Sequence, residues 1–299
     1  MERRKFLSAS ALALGVLTLN SKSLLAAFQD QGYNFKSLRN KIGVFTEKGG
    51  TIGWLNSSDG FVVVDAQFPD SATHVIAELK KLGNKSFTHL INTHHHGDHT
   101  AGNISFKGMV GSVVAHNNSR INQIANAKKQ GSEGEQLYPD TIFTKSWELK
   151  TSDELIKAHY FGAAHTNGDA LIHFENANIV HMGDLVFNRR YPFIDKSAGA
   201  NIQNWIKVLQ TAMDTFDNDT LFIFGHSLDP EKITGNKADL KAFQNYLESL
   251  LTVVSAKIKA QQSLEEILKI QSIPGAPEWK GDGIERSLNA AYEELSKKS

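Results

Sequence analysis

The run His94-His95-His96-Gly97-Asp98-His99 constrains this chain more than any other feature. Residues 88–92 before it are apolar enough for a short buried strand, so the run begins where a strand ends. In an extended segment residues i and i+2 point the same way. His94 and His96 can therefore face one ion while His95 turns aside, either behind the ligands or to solvent. Gly97 then permits a turn that brings Asp98 and His99 to a second ion. A solvated polyhistidine patch would need neither the strand nor an Asp and a Gly in these places.

The chain has no cysteine, which removes disulfides, thiolate zinc sites and thiol nucleophiles together. A metal must be held by nitrogen and oxygen, and imidazole with carboxylate suits Zn²⁺, with Fe or Mn also open. One loop cannot fill two coordination spheres, so further ligands must come later. Three residues follow expected strands in the same order of strand, small residue, ligand. His165 lies in Gly162-Ala-Ala-His-Thr-Asn-Gly-Asp169, Asp184 closes His181-Met-Gly-Asp184, and His226 follows Leu221-Phe-Ile-Phe224 and Gly225. Each alone has a second, weaker reading as a cap or turn residue; their agreement points to a metal.

The length of 299 residues and 40% apolar content suit one large domain, and no low-complexity linker divides the chain. Lys+Arg and Asp+Glu both total 32, so nothing indicates a nucleic-acid partner; a small molecule is expected. Residues 1–27 read as an export signal. Arg3-Arg4-Lys5 is basic, residues 9–19 are apolar but too short to span a bilayer, and Ala26-Ala27 offers a cleavage site. Arg3-Arg4-Lys5-Phe6-Leu7 also resembles a twin-arginine signal. The expectation is an exported, periplasmic protein with no stable membrane insertion, its single domain running over 28–299.

Strands are expected over 42–46, 51–56, 61–65, 88–92, 112–115, 141–147, 154–160, 170–174, 178–181 and 221–224, the last being the final core strand. Helices are expected after Asp70 as N-cap with Gly83 as a left-handed stop, over 117–129 and 203–216, and from 237 with an apolar stripe from Leu240 to Ile258. Ser263 with Glu266 reads as a capping box. Residues 60–65 are echoed by 178–184, which suggests two similar halves packed sheet to sheet with helices outside.

The motif His94-x-His96-x-Asp98-His99, followed by His165, Asp184 and His226, resembles the metallo-β-lactamase superfamily in order and approximate spacing. The resemblance runs from the first hairpin to at least His226. It implies an α/β fold, the four-layer αβ/βα sandwich, with the site at one edge of two sheets. By position it implies His94, His96 and His165 on one metal, Asp98, His99 and His226 on a second, and Asp184 between them. The superfamily's β-lactamases usually carry Cys or Ser at the place of Asp184. An Asp there is more similar to glyoxalase II, the lactonases and the phosphodiesterases of this fold, the last disfavoured here by the lack of a basic arm.

Two ions roughly 3.5–4 Å apart can share a hydroxide formed near neutral pH, which attacks a carbonyl. The expected activity is di-zinc hydrolysis of an activated acyl bond in a small lactone, ester, thioester or amide, with Asp98 helping the leaving group's proton. Two alternatives stay open: a periplasmic β-lactamase, and an enzyme resembling the one-iron persulfide dioxygenases. Asp65 is expected to orient the histidine loop, and His116 to cap a helix. Arg189, Arg190 and Tyr191 follow the bridging Asp and are candidates for substrate contact.

Overall fold

Apolar runs broken by short turns open the fold with a meander: β1 (Asn34–Ser37), β2 (Ile42–Thr46), β3 (Ile52–Ser57) and β4 (Gly60–Val64). The structure is a computed structural model that describes residues 32–296, so the expected export signal lies outside the described residues. From Phe35 onward the chain forms one compact unit. Strands β2, β3 and β4 pair antiparallel. The chain then crosses through helix α1 (Pro69–Lys81) to β5 (Phe87–Asn92), which runs parallel to β4. Strand β5 leads to the one-turn helix α2 (Gly97–Thr100), and β6 (Val110–His116) follows parallel to β5. Helix α3 (Asn117–Gln130) returns the chain to β7 (Thr141–Phe143), the last strand of a seven-stranded sheet.

The second sheet repeats the plan. Strands β8 (Ser146–Lys150), β9 (Leu155–His159), β10 (Leu171–Phe174) and β11 (Ile179–His181) form an antiparallel meander. Two residues of β12 (Phe187–Asn188) and helix α4 (Ile202–Thr215) then precede β13 (Leu221–Ile223), which lies parallel to β11. The short strand β14 (His226–Ser227) pairs with β12, and β15 (Thr234–Gly235) adds to the far side of β13. Each half is therefore a meander, an acid at the strand end, a helix and a parallel strand. That is the internal echo seen around Asp65 and Asp184.

Between the sheets Ile42, Val44, Leu55, Val62, Val64 and Ile91 meet Ile156, Ile172, Phe174, Ile179 and Ile223. A second core lies outside the second sheet. There α4, α5 (Lys237–Lys259) and, after the short α6 (Leu264–Ile267), α7 (Ile284–Ser296) bury Trp205, Leu209, Phe243, Leu250 and Leu288 with Leu171, Val180 and Phe222. Full burial contributes about 1.5–3 kcal/mol for each large aliphatic or phenylalanine side chain. The stripe from Leu240 to Val254 is buried as expected, and Ser263 with Glu266 forms the capping box. No helix among the described residues is long and apolar enough to cross a membrane.

Several expectations are corrected. The single strand over 141–147 is two, β7 in one sheet and β8 in the other. The Thr144 and Lys145 carbonyls between them accept from His116 Nε2 and Tyr160 N, one from each half. Alternation cannot show a chain changing sheets. Helix α1 starts with Pro69, whose missing N–H costs nothing in the first turn, and Phe68 is its N-cap. Asp70 sits inside that turn and pairs with Lys48. Gly83 is not left-handed, because α1 ends on Leu82 in a right-handed conformation. Strand β13 is not the final strand, since β15 flanks it.

Candidate metal centre

All the expected ligands meet at the edge where β5, β11 and β13 end. The first four come from one loop. His99 N and Thr100 N both donate to His96 O at 3.0 Å, so helix α2 itself makes the turn. Gly97 is not needed for it: its backbone is not left-handed, and a Cβ there would meet nothing within 4 Å. The other three come singly, His165 from the loop between β9 and β10, Asp184 from the turn after β11 and His226 from the segment after β13. Gly225 is needed, since a Cβ there would lie 2.1 Å from Asp184 Oδ1. Only glycine lets the end of β13 approach the segment after β11 so closely.

Among the described residues three groups of donors form, the donor atoms in each lying within 4.8 Å of one another. The expected ligands make two of them, His94, His96, His165 and Asp184 in the first and Asp98, His99 and His226 in the second; His95, His96 and Asp195 make a third that shares His96. His96 Nδ1 is 3.1 Å from His94 Nε2 and 2.9 Å from His165 Nε2. Asp184 reaches both groups. Its Oδ2 is 3.4 Å from His165 Nε2 and 3.4 Å from His226 Nε2, and its Oδ1 is 3.0 Å from His99 Nε2. His226 Nε2 also lies 3.2 Å from Asp98 Oδ2.

The outward nitrogens decide which ring atoms face inward. Thr93 Oγ1 donates to Asp65 Oδ2 at 2.7 Å, so it accepts from His94 Nδ1 at 3.1 Å and leaves His94 Nε2 as the free acceptor. His99 Nδ1 donates to the same Asp65 oxygen at 2.8 Å. His165 Nδ1 donates to Phe193 O at 2.8 Å, and His96 Nε2 donates to Asp195 Oδ2 at 2.9 Å. Three nitrogen lone pairs thus converge with no proton to share. Where the two groups meet, His99 Nε2 and Asp184 Oδ1 lie 3.0 Å apart, both buried and neither in an aligned hydrogen bond. Crowded lone pairs and orphaned buried atoms are what a cation satisfies, and the nitrogen–oxygen donor set suits Zn²⁺. The residues present fit a metal.

The groups differ in protonation. Burial lowers His165 to about 3 and pushes His94 well below the usual imidazole range, so both are neutral at pH 7. Burial also opposes charge on His99 and His226, but the neighbouring carboxylates prevail. Asp184, Asp98 and Asp65 hold His99 well above its ordinary value, and Asp184 with Asp98 lifts His226 to about 9. Burial works against ionised Asp184 and Asp98 as well. The cationic His226 and His99 outweigh it, holding Asp184 well below the carboxylate range and Asp98 at about 2.

His95 points away from both groups, as alternation predicts, but it is not exposed. It is buried, with Nε2 3.6 Å from Asp195 Oδ2. Asp195 is the residue that sequence reasoning missed. It caps the turn 196–198 by accepting from Ser197 Oγ and Ala198 N, and that turn signal was readable; its bond to a histidine 99 positions earlier was not. Asp65 and His116 stand where expected, the latter accepting from Asn118 N at the start of α3. A cavity of about 340 Å³ opens over the centre, lined by His96, Asp98, Asp184 and His226 among others. Arg190 and Tyr191 line it too. Arg189 does not: it sits over the Trp279 ring, 3.7 Å from Asp239. Arg286 lines the cavity from α7, with no sequence signal linking it to the site.

The family model described as Metallo-beta-lactamase superfamily matches residues 46–226, from the end of β2 to the last donor. The chain is 26% identical over 173 residues to a metallo-beta-lactamase type 2 from Bacillus cereus, and 27% identical over 173 residues to one from Bacillus sp. (strain 170). Each match covers 58% of this chain and 64% of the relative, so the chain spans less than two thirds of the curated relatives' length. Among solved structures, the metallo-beta-lactamase from Pontibacter korlensis superposes with a TM-score of 0.60 at 15% identity, covering 72% of this chain and 99% of that one. The stereoselective inverting sec-alkylsulfatase Pisa1 from Pseudomonas sp. gives 0.68 at 12% identity, over 87% of this chain and 50% of that one. These likenesses show the fold. With the family match spanning both sheets and every donor, this chain belongs to the metallo-beta-lactamase superfamily.

Proposed function

We propose that the protein is a metal-dependent hydrolase that uses two ions, zinc by its donor set, to cleave an activated acyl bond in a small lactone, ester, thioester or amide. One observation carries this reading: the Asp184 carboxylate reaches both donor groups at the floor of an open cavity. His94, His96 and His165 would hold one ion, Asp98, His99 and His226 the other, and Asp184 both. Bound ions would supply Lewis-acid polarisation of the carbonyl and lower the pKa of water. Asp98 Oδ2 is charged at neutral pH and partly exposed to the cavity. It can take a proton from the attacking water and pass it to the leaving group. Arg190 and Tyr191 would orient the substrate from the rim.

The β-lactamase relatives favour β-lactam cleavage as a second reading. The aspartate at 184, where β-lactamases of the superfamily usually carry Cys or Ser, ranks it below the lactone, ester and thioester. Metal analysis of the purified protein separates a two-zinc hydrolase from a one-iron enzyme. A panel of lactone, thioester, cephalosporin and phosphodiester then tests the bond. Lactone or thioester turnover abolished by a chelator is expected; turnover of the cephalosporin alone, or activity that survives chelation, overturns the proposal. Export through residues 1–27 belongs to the same reading, and the mature protein's N-terminus in a periplasmic fraction tests it.

A further inference from the structure

We propose that the cavity binds an anionic small molecule whose charged end is held by Arg190 and Arg286, and that the C-terminal segment creates this preference. The family match ends at His226, yet the cavity wall continues beyond it with Asp282 and Arg286. That segment is built onto the rim of the centre. Arg190 and Lys280 form a parallel β-bridge; Tyr191 N donates to Lys280 O at 3.2 Å, and Lys280 N to Arg189 O at 3.0 Å. Buried Ser287 Oγ donates to Pro192 O at 3.0 Å. Further along α7, buried Glu294 pairs with Lys196 at 2.8 Å and accepts from Ile202 N and Gln203 N, the open N-terminus of α4. The rim loop from Arg189 to Lys196 is thus fixed at its start by Lys280, just before α7, and from Pro192 to Lys196 by α7 itself.

The two arginines are the unmatched charges of this wall. Arg189 next door has a carboxylate at 3.7 Å, whereas neither Arg190 nor Arg286 has an acidic partner among the described residues. The Arg286 guanidinium lies over the Phe193 ring, 5.7 Å from its centroid, which holds it at the cavity side. Asp282 is exposed and offsets one of the two charges, leaving a net positive rim. Phe187, Tyr191 and Phe193 line the same cavity. The fitting ligand has an anionic group of planar or tetrahedral oxygens at one end and an apolar body at the other. A guanidinium pairs with carboxylate and with sulfate-type oxygens alike. The anion preference rests on the arginines; only the bond that is cut rests on the hydrolase reading.

Calorimetric titration of the metal-loaded full chain with benzenesulfonate, benzoate and neutral benzamide tests the proposal. Sulfonate is a poor metal ligand, so its binding reports the arginines. Benzenesulfonate is expected to bind at least about tenfold more tightly than benzamide. Arg286→Ala and Arg190→Ala should each weaken it by about tenfold, with Arg286→Lys recovering only part of the loss because it keeps the charge but not the planar fork. Equal binding of benzamide, no binding by wild type, or alanine variants that bind sulfonate like wild type would each overturn the assignment. So would benzoate binding without sulfonate binding, which places the anion on the metals. Benzoate tighter than sulfonate, with both sensitive to Arg286, identifies the natural anion as a carboxylate, and the reverse order as a sulfate-type group. Sulfonate binding through Arg286 in a protein that cleaves no acyl bond refutes the hydrolase reading alone.

Discussion

The two halves of the sandwich share one plan and use it differently. In the first half, the strand that closes the meander ends in Asp65, itself left-handed at φ +65°, which is uncommon outside glycine. In the second half, the equivalent strand ends in Gly183-Asp184, and the glycine takes the positive φ of +50°. That shift of one residue separates their roles. Asp65 turns toward the histidine loop and fixes Thr93, His94 and His99, whereas Asp184 projects into the centre between both donor groups. One acid holds the rings, and the other reaches both donor groups. The same strand end supports the histidine loop in one half and faces the donors in the other.

The largest expected effect breaks the second role. Asp184→Asn keeps the size of the side chain but removes the charge that both groups share. Metal content should fall below two per chain, and kcat/KM should drop by about 10³-fold or more, equivalent to about 4 kcal/mol of barrier. Two tightly held ions and near-normal turnover in that variant would mean that Asp184 is no more than a neighbour. Asp65→Asn tests the first role and should cost less, about 10–100-fold in metal affinity. Because Asp65 serves His94 through Thr93 and His99 directly, both ions should weaken together. Loss of one ion alone would break the symmetry claimed for it.

The same contrast shows what a sequence can carry. The donors were readable from local signals: alternation for His94 and His96, and strand, small residue, ligand for His165, Asp184 and His226. Asp98 and His99 were readable through a turn credited to Gly97, which the bonds of α2 to His96 O make instead. Asp65 was readable through its echo of Asp184. Asp195 was not, since its histidine partners are distant in sequence and its local pattern announces only a turn. The rim was half readable: the segment after Asp184 holds Arg190 and Tyr191, but only the bridge to Lys280 shows that Arg189 turns away and Arg286 replaces it. Strands of two residues such as β12 and β14 carry no periodicity at all. Leu288, Ala291 and Leu295 do give α7 a helical stripe, but nothing in it points toward the site.

A smaller and graded effect concerns protons. His94 and His165 are neutral at pH 7, so the first ion should displace few protons there. His99 and His226 are held protonated, the latter up to about 9, so the second ion must release their protons. Lowering the pH from 8 to 6 should weaken the second ion by about tenfold per unit for each proton displaced, and the first far less. Metal titration at both pH values, with proton release followed by buffer ionisation heat, reads this directly. Equal pH slopes for the two ions would erase the distinction between the groups. The sign reverses for the metal-free fold. Raised His226 stabilises it fully below the unfolded histidine value of about 6.5, and that stability is lost as pH rises through about 9. Depressed His165 destabilises it as pH falls from about 6.5 toward 3.

The smallest expected effect lies at Gly97, where the two halves differ in how they turn. The second half needs Gly225, because β13 ends against Asp184 itself. The first half gathers its ligands on a loop that α2 turns by ordinary helical bonds from His96 O. Gly97→Ala places its Cβ in open space, in a conformation that alanine accepts, and removes freedom from the unfolded chain. Stability should therefore stay level or rise by about 0.4–1 kcal/mol, with metal content unchanged. Thermal unfolding of the metal-loaded variant checks this. A loss of one ion on so slight a change would show that the loop needs glycine's freedom during loading, and that its turn is not set by α2 alone.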